Sequence, residues 1–287
     1  VNLLSERIAA AFTASCRDEL DAPKPGNVHV LSPAGRKTPA DFLRSAEAAA
    51  APLSVPGVRV GRRIFGAVEA TRAAVGRNTN LGIILLCAPL AAAAEQTAAD
   101  LREALARVLR ELDVADAELA FRAIVAAAPG GLGRAERHDV FAPAQVTLRQ
   151  AMAEASDRDR IARQYVSDFD DVFTLGEPVL QAALARGSER KWATLSVFLG
   201  FVSAFCDSHV VREHGAETAE EVRRAAARLR DRLGAARDPG EVLPELLAYD
   251  RSLKERSVNP GTSADLTVAT LFANRLRNIL PSARNND

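Results

Sequence analysis

Leu101, Leu105, Val108, Leu109 and Leu112 recur at i, i+4, i+7, i+8 and i+11. That spacing lays an apolar stripe along one face of a helix. No segment of the 287-residue chain alternates apolar and polar residues with period two for long enough to make a strand. Composition agrees with the pattern. Alanine and leucine abound, while isoleucine occurs only seven times, tyrosine twice, and aromatics make up 5%; helices favour the former and strands the β-branched and aromatic residues. The expectation is an all-α fold, one multi-helix domain spanning 1–287, with its site built from interhelix loops. Helices are expected over 1–20, 101–112, 115–128, 146–154, 159–168, 178–185, 219–233, 241–255 and 263–280. No repeat of fixed period is present.

Charge narrows the function classes. Lys+Arg and Asp+Glu are 37 each, so the formal net charge is zero. A sequence-independent nucleic-acid binder needs a basic surplus to displace counterions, and none exists. Hydrophobic residues make up 48%, which excludes a disordered chain. Two apolar runs, Leu81–Ala94 and 192–206, fall short of the roughly 18 residues of a spanning helix and read as buried core helices. The first twenty residues carry acidic and basic side chains around an apolar face, so they read as an amphipathic helix rather than a secretory leader. Cys16, Cys87 and Cys206 are far apart, with no CxxC and no clustered histidine, and read as buried free thiols. The expected location is cytoplasmic, with small molecules as partners, no nucleic acid and no membrane. A homodimer is an open assembly state.

The unusual residues fall in five breaks between helices, at 22–33, 76–82, 129–140, 206–215 and 258–265. All four histidines, His29, His138, His209 and His214, lie in these breaks. Loops on a rigid scaffold are where sites are usually built. In the first break, Pro23-Lys24-Pro25-Gly26-Asn27-Val28-His29 puts a cation on a stiff arm beside a glycine that allows a ligand close approach. It also reads as a plain proline-rich turn. Arg77-Asn78-Thr79-Asn80-Leu81-Gly82 opens an apolar helix, where Asn or Thr can cap and free N–H groups can meet an anion. Pro129-Gly130-Gly131-Leu132-Gly133-Arg134-Ala135-Glu136 could cradle phosphate, although it lacks the GKS or GKT of a Walker loop. Asp207, with Cys206, Ser208 and His209, ends a strongly apolar helix, a costly place for a carboxylate unless it is paired or metal-bound. In the fifth break Pro260 and Gly261 turn the chain, Thr262 or Ser263 caps the last helix, and Asp265 sits in its first turn. Asp265 serves the helix dipole or holds Mg²⁺ or a ribose hydroxyl.

In this order the five segments resemble the triphosphoribosyl-dephospho-CoA synthase family. Its pattern has PKPG, an NTHKG-like helix start, a GxRGE-like loop, a DTN-like helix end and SPGGSADL. The counterparts here are 23–29, 78–82, 131–136, 207–209 and 259–266, so the resemblance covers about residues 15 to 275. It implies an all-helical enzyme that moves the triphosphoribosyl group of ATP to the 2′-hydroxyl of 3′-dephospho-CoA and releases adenine. It implies Mg²⁺, a base for the hydroxyl and a proton for the leaving adenine. Asp207 or Glu136 is the candidate base and His209 the proton partner. Lys24 and Arg134 are the candidate phosphate contacts. Asn27, His29, Asn78, Thr79, Asn80, Asn259 and Ser263 are further nucleotide-binding candidates, and Asp207 and Asp265 the metal ligands. The chain departs from the family where His-Lys becomes Asn80-Leu81, where the charged loop pair is respaced, at His209 and at Asn259. Those departures leave three alternatives open. The same ATP site could serve another acceptor in pterin or furan cofactor synthesis, the chain could bind nucleotide without turnover, or it could be a metal-dependent hydrolase.

Overall fold

A computed structural model describes residues 3–32, 38–96, 100–130 and 133–279. Among them the helices run α1 (Leu3–Asp21), α2 (Pro39–Leu53), α3 (Val60–Val75), α4 (Leu81–Ala94), α5 (Leu101–Glu111) and α6 (Val114–Ala127). Then come α7 (Leu148–Ala153), α8 (Arg160–Val166), α9 (Glu177–Ala185), α10 (Arg190–Ala204), α11 (Ser208–Ala235), α12 (Leu243–Glu255) and α13 (Gly261–Ile279). A π-helical turn, Asp171–Gly176, leads into α9, and a 3₁₀ turn, Pro239–Val242, leads into α12. No strand occurs among the described residues. The fold is all-α, as the periodicity requires.

Helix α4 shows how sequence dictates position. It is apolar on every side, and such a helix is stable only when surrounded. Its residues are almost all buried, against α13, α5, α3 and α2. Helix α13 is nearly as enclosed and packs on α1, α4 and α10. A second core cluster joins α10 to α11 and α12 through Phe198, Leu199, Val222, Leu246 and Leu253. Pro89 lies inside α4 and has no N–H for the carbonyl of Leu85. The hydroxyl of Tyr165, fully buried, donates to that carbonyl at 2.6 Å. The bond lost to proline is thereby replaced from a neighbouring helix, as buried carbonyls require.

The loops sort differently from the sequence expectation in several places. Helices α2 and α3 occupy a stretch to which periodicity gave no element. Asp113 and Asp116 form a capping box at α6, as Thr38 and Asp41 do at α2. Residues 208–214, expected as a break, form the first turns of α11, which Gly215 then interrupts at φ 84°. Residues 261–265 likewise belong to α13. Gly131, Leu132 and Leu280, named among the expected loop and helix residues, lie outside the described residues. Among those described, no single helix is long and apolar enough to cross a membrane.

Candidate active site

All five breaks reach one cavity of about 810 Å³. Its walls come from the end of α1, the start of α4, α6 to α8, the starts of α11 and α13, and the long loop between α6 and α7. Asn27, Asn78, Thr79, Arg134, Glu136, His209, Asn259 and Asp265 all line it. The sequence therefore brings together most of its candidate residues.

The polar wall is tied across the chain. Asn27 Nδ2 donates to Asn259 Oδ1 at 2.8 Å, joining the first motif to the last. Asn78 Oδ1 accepts the Leu81 N–H at 3.1 Å, so Asn78 closes the first turn of α4. Thr79 Oγ1 lies 2.6 Å from Ser45 Oγ on α2. His209 Nδ1 lies 2.9 Å from the Asn259 carbonyl. A carbonyl oxygen can only accept, so Nδ1 carries the proton and Nε2 holds the lone pair of the neutral ring. That is the tautomer a general base needs. Gly82 makes room for Asp265. A Cβ on Gly82 would lie 2.0 Å from Asp265 Oδ2 and 2.7 Å from Ile161 Cδ1. Polar and apolar parts of the cavity meet at that glycine. The apolar part is walled by Leu81, Ile83, Phe121, Ile124 and Met152.

Five expected site residues stand elsewhere, each for a physical reason. Lys24 is fully buried and does not line the cavity. Its Nζ donates to the carbonyls of Glu19 and Val28 at 2.7 and 2.8 Å and pairs with Glu19 Oε1 at 2.9 Å. All three N–H bonds are spent, which leaves none for a phosphate. His29 is equally enclosed, with Nε2 3.4 Å from Asp250 Oδ2, and burial pulls its pKa down. Asp207 is 1% exposed and accepts four hydrogen bonds. Oδ1 takes the N–H groups of His209 and Val210, and Oδ2 takes the N–H and hydroxyl of Ser263. It caps α11 and clamps it to α13. Burial raises its carboxyl, against the lowering effect of those bonds. A carboxylate so fully occupied has no lone pair directed at a substrate or a metal. Ser263 is held in the same clamp, so it caps nothing on its own helix. Asn80 precedes α4, but its side chain makes no capping bond and lies off the cavity. Gly26 allows a close approach, yet to protein: a Cβ there would meet the Val258 carbonyl at 2.8 Å.

The structure adds residues that the motifs did not mark. Arg137, Arg158 and Arg212 join Arg134 on the cavity lining, forming a cationic rim. Arg134 stacks over Phe141 at 4.1 Å and lies 3.5 Å from Asp139. Asp139 accepts from the N–H groups of Phe141 and Ala135, and these bonds, aided by Arg134, hold its carboxyl below the usual range. Arg137 reaches Glu154 at 2.8 Å, and Arg212 reaches the Gly130 carbonyl at 3.2 Å. Glu19 also faces the cavity. The repeated arginines of 134–137 and 158–163 were the available signal for the rim. Among the described residues no group of three or more His, Cys, Asp or Glu side chains is placed to hold a metal. Mg²⁺ often takes only one or two carboxylates and completes its shell with phosphates and water. Asp265 on the cavity wall fits that mode, as the ligand of an ion arriving with a polyphosphate.

The family model for CitG, ATP:dephospho-CoA triphosphoribosyl transferase, matches residues 5–283. Among solved structures, one from Archaeoglobus fulgidus, provisionally assigned as a triphosphoribosyl-dephospho-CoA synthase, superposes with a TM-score of 0.62. The two chains are 25% identical, over 81% of this chain and 97% of that one. No curated protein matches.

Proposed function

Since the chain belongs to the ATP:dephospho-CoA triphosphoribosyl transferase family, we propose that this cavity moves the triphosphoribosyl group of ATP to the 2′-hydroxyl of 3′-dephospho-CoA. Adenine leaves, and the product is a precursor of a prosthetic group. The observation that carries the reading is convergence. Segments from five parts of the chain meet at one cavity with a cationic rim, an apolar wall and an imidazole in the base tautomer.

In this reading the C1′–O2′ bond forms as the C1′–N9 bond of ATP breaks. His209 Nε2 takes the hydroxyl proton. Glu136 lies on the same lining and is the candidate proton donor to the departing adenine. Arg134, Arg137, Arg158 and Arg212 hold the triphosphate. These guanidiniums supply charge that the family places at the His-Lys pair, here Asn80-Leu81. The apolar wall takes the flat base and excludes water from the reacting carbon. Asp265 and the phosphates would hold Mg²⁺, whose chemistry there is neutralisation of triphosphate charge.

Chromatography of a mixture of protein, ATP, Mg²⁺ and dephospho-CoA tests the reading. Free adenine should accumulate with the coupled product, and His209→Gln should slow it by about 10²–10⁴-fold, the usual range for loss of a positioned base. Adenine release that requires some other acceptor would move the assignment to that acceptor. ATP binding with no release under any acceptor would make the chain a nucleotide-binding protein.

A further inference from the structure

The scheme above leaves the most deeply set of the unassigned cavity carboxylates, Glu19, without a task. Glu19 stands near the C-terminal end of α1 and lines the cavity beside Asn27 and Val28. It is 4% exposed. A carboxylate set that deep is costly unless paired. Its partner is Lys24, at 2.9 Å from Oε1, and no other side chain among the described residues is paired with it. The three partners of Lys24 Nζ are all acceptors, which is the coordination of an ammonium and not of an amine. Burial pushes the Glu19 carboxyl up, which Lys24 only partly offsets, and burial pulls Lys24 down, which Glu19 only partly offsets. A buried cation is thus spent on holding one carboxylate in place at the cavity wall.

The surroundings say what that carboxylate can receive. Glu19 and Asp265 are both carboxylates on the lining of this cavity. A carboxylate with no bridging metal repels phosphate, which the arginine rim receives. An ionised carboxylate accepts hydrogen bonds and donates none. The uncharged O–H donors of the two substrates are the ribose hydroxyls and the pantoyl hydroxyl of dephospho-CoA, and only the ribose hydroxyls sit beside the reacting C1′ and O2′. Acidic side chains bind such hydroxyls in other nucleotide folds.

We propose that Glu19 accepts a hydrogen bond from a ribose hydroxyl of the bound substrates, and that Lys24 is the positioning residue that holds Glu19 for it. This rests on the transferase reading for its substrates. It gives the lysine of the proline-rich motif a role that phosphate contact cannot.

The test compares ATP with 2′-deoxy-ATP and 3′-deoxy-ATP, each with dephospho-CoA, and ATP with an acceptor lacking its ribose 3′-hydroxyl. The wild-type protein should lose about 10–100-fold in kcat/KM on the analogue that lacks the bonded hydroxyl, the size of a charge-assisted bond. The analogue affected tells which ribose is held. Glu19→Gln should turn over the full substrates more slowly by a similar factor and cut that discrimination to about threefold or less. Lys24→Met should also lose the discrimination, which a purely structural lysine would leave intact. If either variant does not fold, Glu19→Leu with Lys24→Met replaces the pair by apolar groups of similar volume, a change proteins often tolerate. Full discrimination retained in Glu19→Gln would overturn the proposal. So would a raised Mg²⁺ requirement with unchanged discrimination, which would give the carboxylate to the ion. Calorimetric binding of ATP and the deoxy analogues repeats the nucleotide comparison without turnover. If the wild-type protein releases no adenine, the transferase reading fails, and the binding arm still decides the role of Glu19.

Discussion

Replacing Asp207 separates a structural clamp from a catalytic carboxylate. The side chain is 1% exposed and accepts four hydrogen bonds at 2.7–3.2 Å. Asp207→Ala removes all four acceptors. The His209 N–H keeps a second partner in Thr262 Oγ1 at 3.2 Å, so three donors lose their acceptor: the Val210 N–H, the Ser263 N–H and the Ser263 hydroxyl. Each buried unpaired donor costs about 1–3 kcal/mol, and relief of the buried charge offsets part of the sum. The net expectation is about 3–5 kcal/mol, at the upper end for one substitution. For a chain of this length that lowers Tm by roughly 5–8 °C. Asp207→Asn keeps one oxygen but turns an amide N–H toward backbone donors, so about half that loss is expected. Circular dichroism melts and urea titrations measure both. Adenine release is then followed at 20 °C, where each variant is still folded. Residual turnover in Asp207→Asn, in proportion to its folded fraction, fits a clamp. A variant with wild-type Tm and no turnover would refute the reasoning, because only a group touching the reactants behaves so.

Other perturbations follow from the same geometry. Gly82→Ala adds a methyl into the space of Asp265 Oδ2. Displacing Asp265 should lower turnover by tenfold or more, while the helix gain of alanine over glycine, about 1 kcal/mol, offsets part of the overpacking cost and keeps the change in Tm small; equal activity would show that Asp265 moves freely. Arg158→Met should raise the KM for ATP several-fold with little change in kcat, and the difference should shrink at high salt. An effect confined to kcat would remove Arg158 from binding. Asp250 gives a pH prediction. Burial pushes its carboxyl up, but bonds from His29, Lys254, Ser32 and the Gly26 N–H outweigh it and bring the pKa to about 2. A depressed acid contributes stability above its unfolded pKa, near 3.9, and loses it as pH falls toward 2. On the order of 2 kcal/mol should therefore vanish between about pH 4 and 2, and Asp250→Asn should flatten that part of a urea-midpoint profile. An unchanged acid arm would mean that Asp250 is not ionised by these bonds.

The helices were legible where one side faces solvent. The stripe from Leu101 to Leu112 has a polar back, so the period shows, and α5 lies within one residue of it. Helices α2 and α3 were missed. Alanine-rich stretches pack closely through small side chains and carry little periodic contrast, as in Ala46, Ala49 and Ala50 of α2. The site was legible as a set of segments and much less so as a set of roles. Composition can show that a lysine or an aspartate is present in an odd place, but not which way it points. Lys24 and Asp207 carry the charges that looked most chemical, and both are turned inward.

Their burial has a physical logic. A cavity lined by five chain breaks has no helix or sheet ladder to hold those breaks together. Backbone N–H groups at the starts of α11 and α13 and backbone carbonyls at the end of α1 need partners. A short charged side chain satisfies several at once: Asp207 binds four donors, and Lys24 three acceptors. Neutral residues offer fewer bonds and weaker ones. Motif residues of this kind fix where the loops stand. Contact with substrate then falls to residues whose identity is less constrained by the fold, such as the exposed arginines of the rim. A motif can therefore identify the site while its charged members belong to the scaffold. For this chain, substitutions at Lys24 and Asp207 must be read against a melting curve before any role in the chemistry is drawn from lost activity.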